Sequence, residues 1–185
     1  LSNELSEYDK VSVMLAGLLH DVGHGPFSHA FEHVTNHSHE DYTVKIILGN
    51  TELNSVLSKV SKNLPHDIVA IIQHTHKNDI LNQIVSGQLD ADRMDYLLRD
   101  SYFTATSYGQ FDLERILRTM RVRKIDDDKK QLVVKYTGIH SVEDYIMARY
   151  QMYWQVYYHP VARSYETVFI QLFKRLNDIF KVNKD

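Results

Sequence analysis

Apolar residues recur at helical spacing along most of this chain, and few residues interrupt them. The 185 residues include only seven glycines and three prolines, which favours long helices. The pattern predicts helices over residues 11–20, 28–35, 40–48, 52–60, 65–76, 79–85, 89–102, 141–158 and 162–182. A chain of this length can bury one proper core, so we expect a single all-α domain.

The helical pattern gives way to strand-like segments in one place. Residues 121–125 and 131–136 flank the turn-like segment 126–130 and predict one small β-hairpin near 121–136. We find no internal repeat, low-complexity stretch or linker. The expected architecture is therefore a helical bundle with one hairpin.

Composition limits the chemistry that the chain can perform. The absence of cysteine excludes disulfide bonds and thiolate metal sites, fits a cytoplasmic protein, and leaves histidine and carboxylates as the strong metal ligands. A net charge of −3 gives no overall basic field, so composition does not favour a nucleic-acid partner. No apolar run approaches the roughly 18 residues that span a bilayer, so we expect no membrane partner.

The candidate chemistry is densest in the run HDVGHGPFSH, residues 20–29. His20 and Asp21 offer one imidazole nitrogen and one carboxylate oxygen, a mixture that suits a divalent ion such as Mn, Mg, Fe or Zn. Two glycines and a proline then break the helix, which lets other groups crowd around a small ligand. A His-Asp pair alone is a weak signal, but the complete run predicts a metal or phosphate site.

This run resembles the core motif of HD-domain metal-dependent phosphohydrolases. Within them it is most similar to the deoxynucleoside triphosphate triphosphohydrolases, which include the SAM-and-HD-domain dNTPases and bacterial dGTPase-like enzymes. The segment DADRMDYLLRD at 90–100 resembles the second signature of that subfamily, and a looser match lies in 149–159. The resemblance extends from residue 1 to the segment after His159. It implies an all-α HD-domain bundle that hydrolyses a dNTP to a deoxynucleoside and inorganic triphosphate.

The resemblance also implies a divalent metal held by the pair at 20–21 and by one aspartate of the second signature. On the residues alone, four aspartates compete for that place: Asp90, Asp92, Asp95 and Asp100. The family pattern selects Asp92, so the implied metal ligands are His20, Asp21 and Asp92.

The family pattern includes a further metal-ligand histidine, farther upstream than this chain begins. We therefore expect residues 1–185 to be an HD phosphohydrolase catalytic core and a fragment of a longer chain that carries that histidine in its N-terminal segment. Pro160 departs from the family, because the animal enzymes have a lysine there; we expect that contact to be lost or moved.

The resemblance assigns the remaining roles residue by residue. The implied catalytic set is His24, His29, Glu32 and His39. His29 oriented by Glu32, or His39 beside His24, would give the leaving nucleoside 5′-oxygen its proton. The implied substrate-binding set is Arg93 on phosphate, Tyr96 near phosphate and sugar, Asp100 on the 3′-hydroxyl, Arg149 on phosphate, and Tyr157 beside sugar and base.

Several polar and aromatic residues allow a structural interpretation. For His39 a helix N-terminal position is as good an interpretation as a catalytic one, and for His33 and His37 we prefer a structural role. His74 and His76 do not share a face of the predicted helix, so we do not expect a ligand pair. Packing in the core or at a subunit interface is favoured over base stacking for five aromatic residues: Tyr145, Tyr150, Tyr153, Trp154 and Tyr158.

The sequence allows more than one interpretation of the partners and of the function. The resemblance implies a homodimer or homotetramer and a nucleotide activator. The basic cluster consists of Arg115, Arg118, Arg121, Arg123 and Lys124; a solvated face is slightly favoured there over an effector nucleotide or a nucleic acid. Two other functions remain open: another HD-type nucleotide phosphohydrolase (a phosphodiesterase or monophosphate phosphatase), and a non-catalytic module that binds a nucleotide or nucleic acid.

Overall fold

The computed structural model describes residues 5–27, 29–35, 37–125 and 130–182, and most of this part is α-helical. The helices are α1 Glu7–Leu19, α2 His29–Thr35, α3 His39–Leu48, α4 Glu52–Val60, α5 Leu64–Ile72, α6 Asp79–Ser86, α7 Ala91–Phe103, α8 Leu113–Thr119, α9 Ile139–Met152 and α10 Pro160–Val182. Strands β1 Met120–Lys124 and β2 Lys130–Val134 pair antiparallel. A 3-10 turn at Tyr136–Gly138 precedes α9, and a π-helical turn at Tyr153–Tyr157 continues it.

The predicted all-α class with one hairpin is confirmed, and two helix boundaries show how local capping sets the ends. Helix α1 begins before the predicted residue 11, because the N–H of Asp9 donates to Oγ of Ser6 at 3.0 Å and closes a capping box. Helix α8 was not predicted; it begins after Asp112, whose carboxylate accepts the N–H of Arg115 at 2.9 Å.

The predicted helix over 65–76 is too long at its C-terminal end. The chain leaves α5 after Ile72, and His74 adopts a left-handed φ of 57°. The N–H groups of Thr75 and His76 then donate to the carbonyl of Ala70 at 2.8 and 3.0 Å, which ends the helix. Both histidines therefore lie beyond the helix. Ser28 and residues 126–129, which belonged to a predicted helix and to the predicted hairpin turn, lie outside the described residues.

One hydrophobic cluster joins α1, α3, α4, α5 and α6. Its buried members are Val13, Ala16, Ile47, Leu57, Leu64, Ile68, Val69, Ile71, Ile72, Leu81 and Val85. Helix α1 packs against α5 and α6 through this cluster. The cluster therefore fixes the C-terminal end of α1, from which His20 and Asp21 project.

A second hydrophobic cluster joins α7, α8, β1 and α9. Its buried members are Met94, Leu97, Ile116, Met120, Tyr145 and Met152. The apolar face of α7 packs into it, with Tyr96 at the edge of the cluster, which leaves Asp92 and Asp100 outside the cluster. Helices α6 and α7 pack together, and β2 packs on α6, where the N–H of Leu132 donates to Oε1 of Gln83 at 2.9 Å.

Helix α10 packs against α2, and the rings of Phe27 and Phe169 lie 4.1 Å apart at this contact. Within the described ranges, every helix is too short or too polar to cross a membrane.

The hydroxyl group of Thr43 connects the turn after α1 to α3. Oγ1 of Thr43 donates to the carbonyl of His20 and accepts the N–H of Gly23, both at 2.9 Å. A side-chain carbon on Gly23 would lie 2.2 Å from the carbonyl oxygen of His39 and 2.3 Å from the backbone nitrogen of Thr43. Only glycine permits this approach of two backbone segments.

We expect the substitution Gly23→Ala to lower the free energy of unfolding by about 1–3 kcal/mol, because α3 must move away from the turn. Urea denaturation followed by circular dichroism measures the change. The matched control is Gly17→Ala, because a side-chain carbon there meets open space in a helix that alanine favours by roughly 0.5–1 kcal/mol. Equal effects of the two substitutions would contradict the close approach at Gly23.

Candidate metal and phosphate site

Two carboxylates and one imidazole converge where the end of α1 meets the start of α7. Nε2 of His20 lies 3.2 Å from Oδ1 of Asp21 and 3.4 Å from Oδ1 of Asp92. These three ligand atoms lie close enough together to hold one metal ion. One nitrogen and two carboxylate oxygens suit a hard or borderline divalent ion.

The hydrogen bonding of His20 fits a metal ligand. Nδ1 of His20 lies 2.8 Å from the carbonyl oxygen of Gly17, which can only accept, so the proton is on Nδ1. Nε2 therefore presents a lone pair, or a second proton, to Asp21 and Asp92. The hydrogen bond with Asp92 raises the pKa of His20 to about 9, against the lowering effect of burial. The same hydrogen bond lowers the pKa of Asp92. The site thus favours a cation between its acidic groups.

The four aspartates of the second signature occupy different environments. Asp90 is buried at the N-terminus of α7, where it accepts the N–H of Arg93 at 2.7 Å, and burial raises its pKa. Asp95 is exposed and pairs with Arg99 at 2.9 Å. Asp100 accepts the hydroxyl of Tyr157. Asp92 alone among these four approaches His20 in the described structure.

Three histidines gather beside the His20–Asp21 pair. The rings of His24 and His39 stack with centroids 3.8 Å apart and planes 13° apart. The ring of His29 lies edge-on to both, at 5.1 and 5.3 Å. Nε2 of His24 and of His39 lie 3.6 and 3.8 Å from Oδ1 of Asp21. Burial, and then the neighbouring His39, lower the pKa of His24, so that imidazole stays neutral near neutral pH.

Glu32 organises this histidine cluster. Its Oε1 accepts the backbone N–H of His39 at 2.9 Å and pairs with Nδ1 of the same residue. Its Oε2 lies 3.4 Å from Nδ1 of His29, as their spacing of three residues on α2 predicts. Burial opposes ionisation of Glu32, but the hydrogen bonds from His39 and His29 outweigh it and bring the pKa to about 2. Glu32 is therefore a carboxylate that orients two imidazoles.

The ligand atoms of His24, His29, Glu32 and His39 also lie within reach of one ion. The stacking of His24 on His39 argues against that use, because the lone pairs of parallel rings do not converge on one point. A cluster of this kind suits proton transfer and contact with phosphate oxygens instead.

The metal ligands and the three histidines line one cavity of about 870 Å³. Arg93, Tyr96, Asp100 and Tyr157 also line it, as the resemblance implied for a substrate site. Tyr157 donates to Oδ2 of Asp100 at 2.8 Å, and burial, followed by this hydrogen bond, raises the pKa of Tyr157. Arg93 bonds the carboxylate of Asp90 and the carbonyl of Gly87, which fixes its guanidinium at the cavity wall.

Two predicted site residues stand outside the cavity wall. The guanidinium carbon of Arg149 lies 5.7 Å from the ring centroid of Tyr153, a cation–π contact. Glu32 lies behind His29 and His39 and reaches the cavity only through them. Neither residue is among those that line the cavity in the described structure.

The cavity also contains residues that sequence reasoning missed: His74, Arg99, Tyr153, Tyr158 and Arg163. Tyr153 and Tyr158 were expected to pack in the core or at a subunit interface; in the described structure neither is a buried core residue, and both line the cavity. The spacing of four residues between Arg149, Tyr153 and Tyr157 was a usable signal for Tyr153. Arg163 carried no local signal, because it belongs to another helix beyond Pro160. Tyr145 is buried in the second cluster, as expected for a packing residue.

Because the pKa of Glu32 falls from 4.5 to about 2 on folding, its ionised form stabilises the folded state above pH 4.5. This stabilisation disappears as the pH falls from 4.5 towards 2. We expect Glu32→Gln to be less stable than the parent by about 1–3 kcal/mol at pH 7, and the difference to vanish towards pH 2. Urea denaturation across this range measures it.

The control for Glu32 is Glu143→Gln, because Glu143 makes a similar pair with His140 at 2.8 Å on the exposed surface of α9. That substitution should change the stability little at any pH. A stability difference for Glu32→Gln that does not depend on pH would contradict the assigned role.

Comparison with known proteins adds to this geometry. The HD domain profile matches residues 1–100, and the HD associated region profile matches residues 111–184. The uncharacterized protein YwfO of Bacillus subtilis is 52% identical over 95% of this chain and 40% of its own length. The deoxynucleoside triphosphate triphosphohydrolase SAMHD1 homolog of Dictyostelium discoideum is 30% identical over 97% of this chain and 36% of its own length.

A solved structure of a phosphohydrolase from Bacteroides thetaiotaomicron has a TM-score of 0.79 and 34% identity over 95% of this chain and 41% of that chain. The chain spans less than half of the length of these relatives. The resemblance carried by residues 20–29 and 90–100 is confirmed, and the chain belongs to the HD-domain family, with an HD-associated region after the HD domain.

Proposed function

We propose that this chain is the catalytic core of a metal-dependent hydrolase that converts a dNTP to a deoxynucleoside and inorganic triphosphate. One observation carries the proposal: the set His20, Asp21 and Asp92 adjoins the cluster of His24, His29 and His39 in a single cavity of about 870 Å³. A cavity of this size accommodates a nucleotide.

The metal site supports hydrolysis of a phosphate ester. His20, Asp21 and Asp92 would hold a divalent ion, and their donor atoms fit Mn, Mg, Fe or Zn. When bound, such an ion lowers the pKa of water and neutralises phosphate charge. His24 and His39 face Asp21 and are placed to contact phosphate oxygens next to this site.

His29 is the residue best placed to give the leaving 5′-oxygen its proton. Its side chain is 65% exposed and lines the cavity, and its Nδ1 faces Glu32. That arrangement leaves Nε2 free to face a substrate, while the carboxylate of Glu32 fixes the orientation of the ring. His39 is less suited to this role, because Glu32 engages its Nδ1 and its Nε2 faces Asp21.

The part of the cavity around Asp100 and Tyr157 suits a deoxyribose. The hydroxyl of Tyr157 donates to Oδ2 of Asp100, and Nη1 of Arg99 lies 3.9 Å from Oδ1 of Asp100. That second oxygen is placed to accept a 3′-hydroxyl group, with the ring of Tyr157 as a wall beside the sugar. The name of the Dictyostelium relative, a deoxynucleoside triphosphate triphosphohydrolase, supports the same substrate class.

The test uses the protein as its natural gene encodes it, incubated with each dNTP, alone and mixed, with Mg²⁺ or Mn²⁺. Phosphorus NMR identifies the product. We expect inorganic triphosphate and deoxynucleoside, and a loss of roughly 100-fold or more in rate for Asp92→Ala. Asp95→Ala is the matched control, because Asp95 is exposed on the same helix and pairs with Arg99.

The other products would each contradict the proposal in a distinct way. Orthophosphate or pyrophosphate would favour another HD-type phosphohydrolase, such as a phosphodiesterase or a monophosphate phosphatase. Tight nucleotide binding without turnover would favour a non-catalytic binding module.

The same assay tests the predicted partners. Turnover in the mixture alone would support the predicted nucleotide activator, and the mass of the active species would test the predicted homodimer or homotetramer.

A second prediction concerns the sugar. We expect the parent protein to prefer a dNTP over the corresponding 2′,3′-dideoxynucleotide by roughly tenfold in kcat/KM. The dideoxy substrate has no 3′-hydroxyl group to donate to the second carboxylate oxygen of Asp100. Asp100→Ala should remove most of that preference, whereas Tyr157→Phe keeps the carboxylate and should retain it. An unchanged ratio in Asp100→Ala would contradict the assigned contact.

A further inference from the structure

The π-helical turn and the residue after it bring three aromatic rings to the cavity, those of Tyr153, Tyr157 and Tyr158. The N–H of Tyr158 donates to the carbonyl of Tyr153 at 2.9 Å, which is the five-residue spacing of a π-turn. The ring centroids of Tyr153 and Tyr158 lie 5.7 Å apart, and those of Tyr153 and Tyr157 lie 5.1 Å apart. One extra residue in the turn therefore directs both Tyr157 and Tyr158 to the cavity.

The guanidinium group of Arg163 lies over the ring of Tyr158. Arg163 belongs to the first turns of α10, where its N–H donates to the carbonyl of His159 at 3.1 Å. Its guanidinium carbon lies 4.4 Å from the ring centroid of Tyr158, and its Nη1 pairs with Glu166. The side chain is 44% exposed and lines the cavity. A guanidinium held by a ring and a carboxylate is a fixed, planar donor.

The position of Arg163 places it on the nucleoside side of the proposed substrate. Tyr158 adjoins Tyr157, whose hydroxyl engages Asp100 at the proposed sugar site. Glu166, the partner of Arg163, lines a smaller cavity together with His29, the proposed proton donor to the 5′-oxygen. Tyr158 is therefore the neighbour that sets Arg163 beside the proposed sugar site, while Glu166 holds the guanidinium from the smaller cavity.

We propose that Arg163 reads the base and selects keto bases, guanine and thymine, over adenine and cytosine. The inference rests on the proposed function, because it takes a dNTP as the occupant of the cavity. Nη1 engages Glu166, which leaves N–H donors on Nη2 and Nε. These donors match the carbonyl oxygen of guanine or thymine, and guanine adds N7 as a second acceptor.

Adenine and cytosine present an amino group where the keto bases present that carbonyl oxygen. An arginine has only donors, so an amino group opposite it leaves donors facing donors. The discrimination therefore comes from both an attractive and a repulsive contact. Tyr158 supplies the plane that keeps the guanidinium in position.

The experiment measures equilibrium binding by calorimetry, with Asp92→Ala present in every protein so that turnover does not interfere. The probes are dGTP, dATP, dTTP, dCTP and inorganic triphosphate. We expect dGTP to bind more tightly than dATP by roughly tenfold, and dTTP more tightly than dCTP by a smaller factor. Arg163→Met should remove both preferences and leave the binding of inorganic triphosphate unchanged.

Arg163→Lys is the second variant, because it keeps the charge and loses the planar donor; it should also lose the preference. Arg175→Met is the matched control, since Arg175 is exposed farther along α10, and it should keep the preference. Equal binding of dGTP and dATP by the parent would overturn the inference. Weaker binding of inorganic triphosphate by Arg163→Met would overturn it too, because Arg163 would then contact phosphate.

The two proposals fail separately in these measurements. A keto preference that depends on Arg163, in a protein that releases no triphosphate from any dNTP, would retain the base contact and contradict the proposed reaction. Triphosphate release from all four dNTPs, without a keto preference in binding, would retain the proposed reaction and contradict the base contact.

Discussion

The arrangement of this protein depends on two carboxylates that face one imidazole nitrogen. Asp21 follows the end of α1 and Asp92 lies in the first turn of α7, and both approach Nε2 of His20. The pKa of His20 is raised to about 9, so its protonated imidazole attracts both carboxylates. Each hydrophobic cluster fixes one of the two helices, and the packing of α6 on α7 joins the clusters.

The histidine cluster depends on a second close approach, that of the turn after α1 to α3. Gly23 and Thr43 hold two backbone segments in contact, and this brings His24 over His39. Glu32 then fixes the orientation of the imidazoles from behind. The candidate metal ligands and the histidines proposed to transfer protons are thus positioned by different contacts of the fold. A small distortion of the turn would separate the two without unfolding either cluster.

The proposed nucleoside side of the cavity is built from aromatic rings on less deeply buried elements. The π-turn after α9 directs Tyr157 and Tyr158 to the cavity, and α10 adds Arg163. Helix α10 reaches this place because Phe169 packs on Phe27, whose φ of 65° places its backbone in the left-handed region. A non-glycine residue in that region is held there by its surroundings, and Phe27 lies within the 20–29 motif, two residues before His29.

The sequence by itself determined most of the helices, the hairpin and the local pairs of the site, but it missed α8 and the end of α5 at Ile72. Helical periodicity, the adjacency of His20 and Asp21, and the spacing of His29 and Glu32 all depend on geometry within one or two turns. The residue spacing left four aspartates open and only the family resemblance selected Asp92, which the tertiary structure places beside His20. The tertiary structure alone showed the contact of Arg149 with Tyr153 and the entry of Arg163 into the cavity. The placement of Asp92 and Arg163 depends on how helices that are distant in the chain cross, and not on the spacing of residues along one of them.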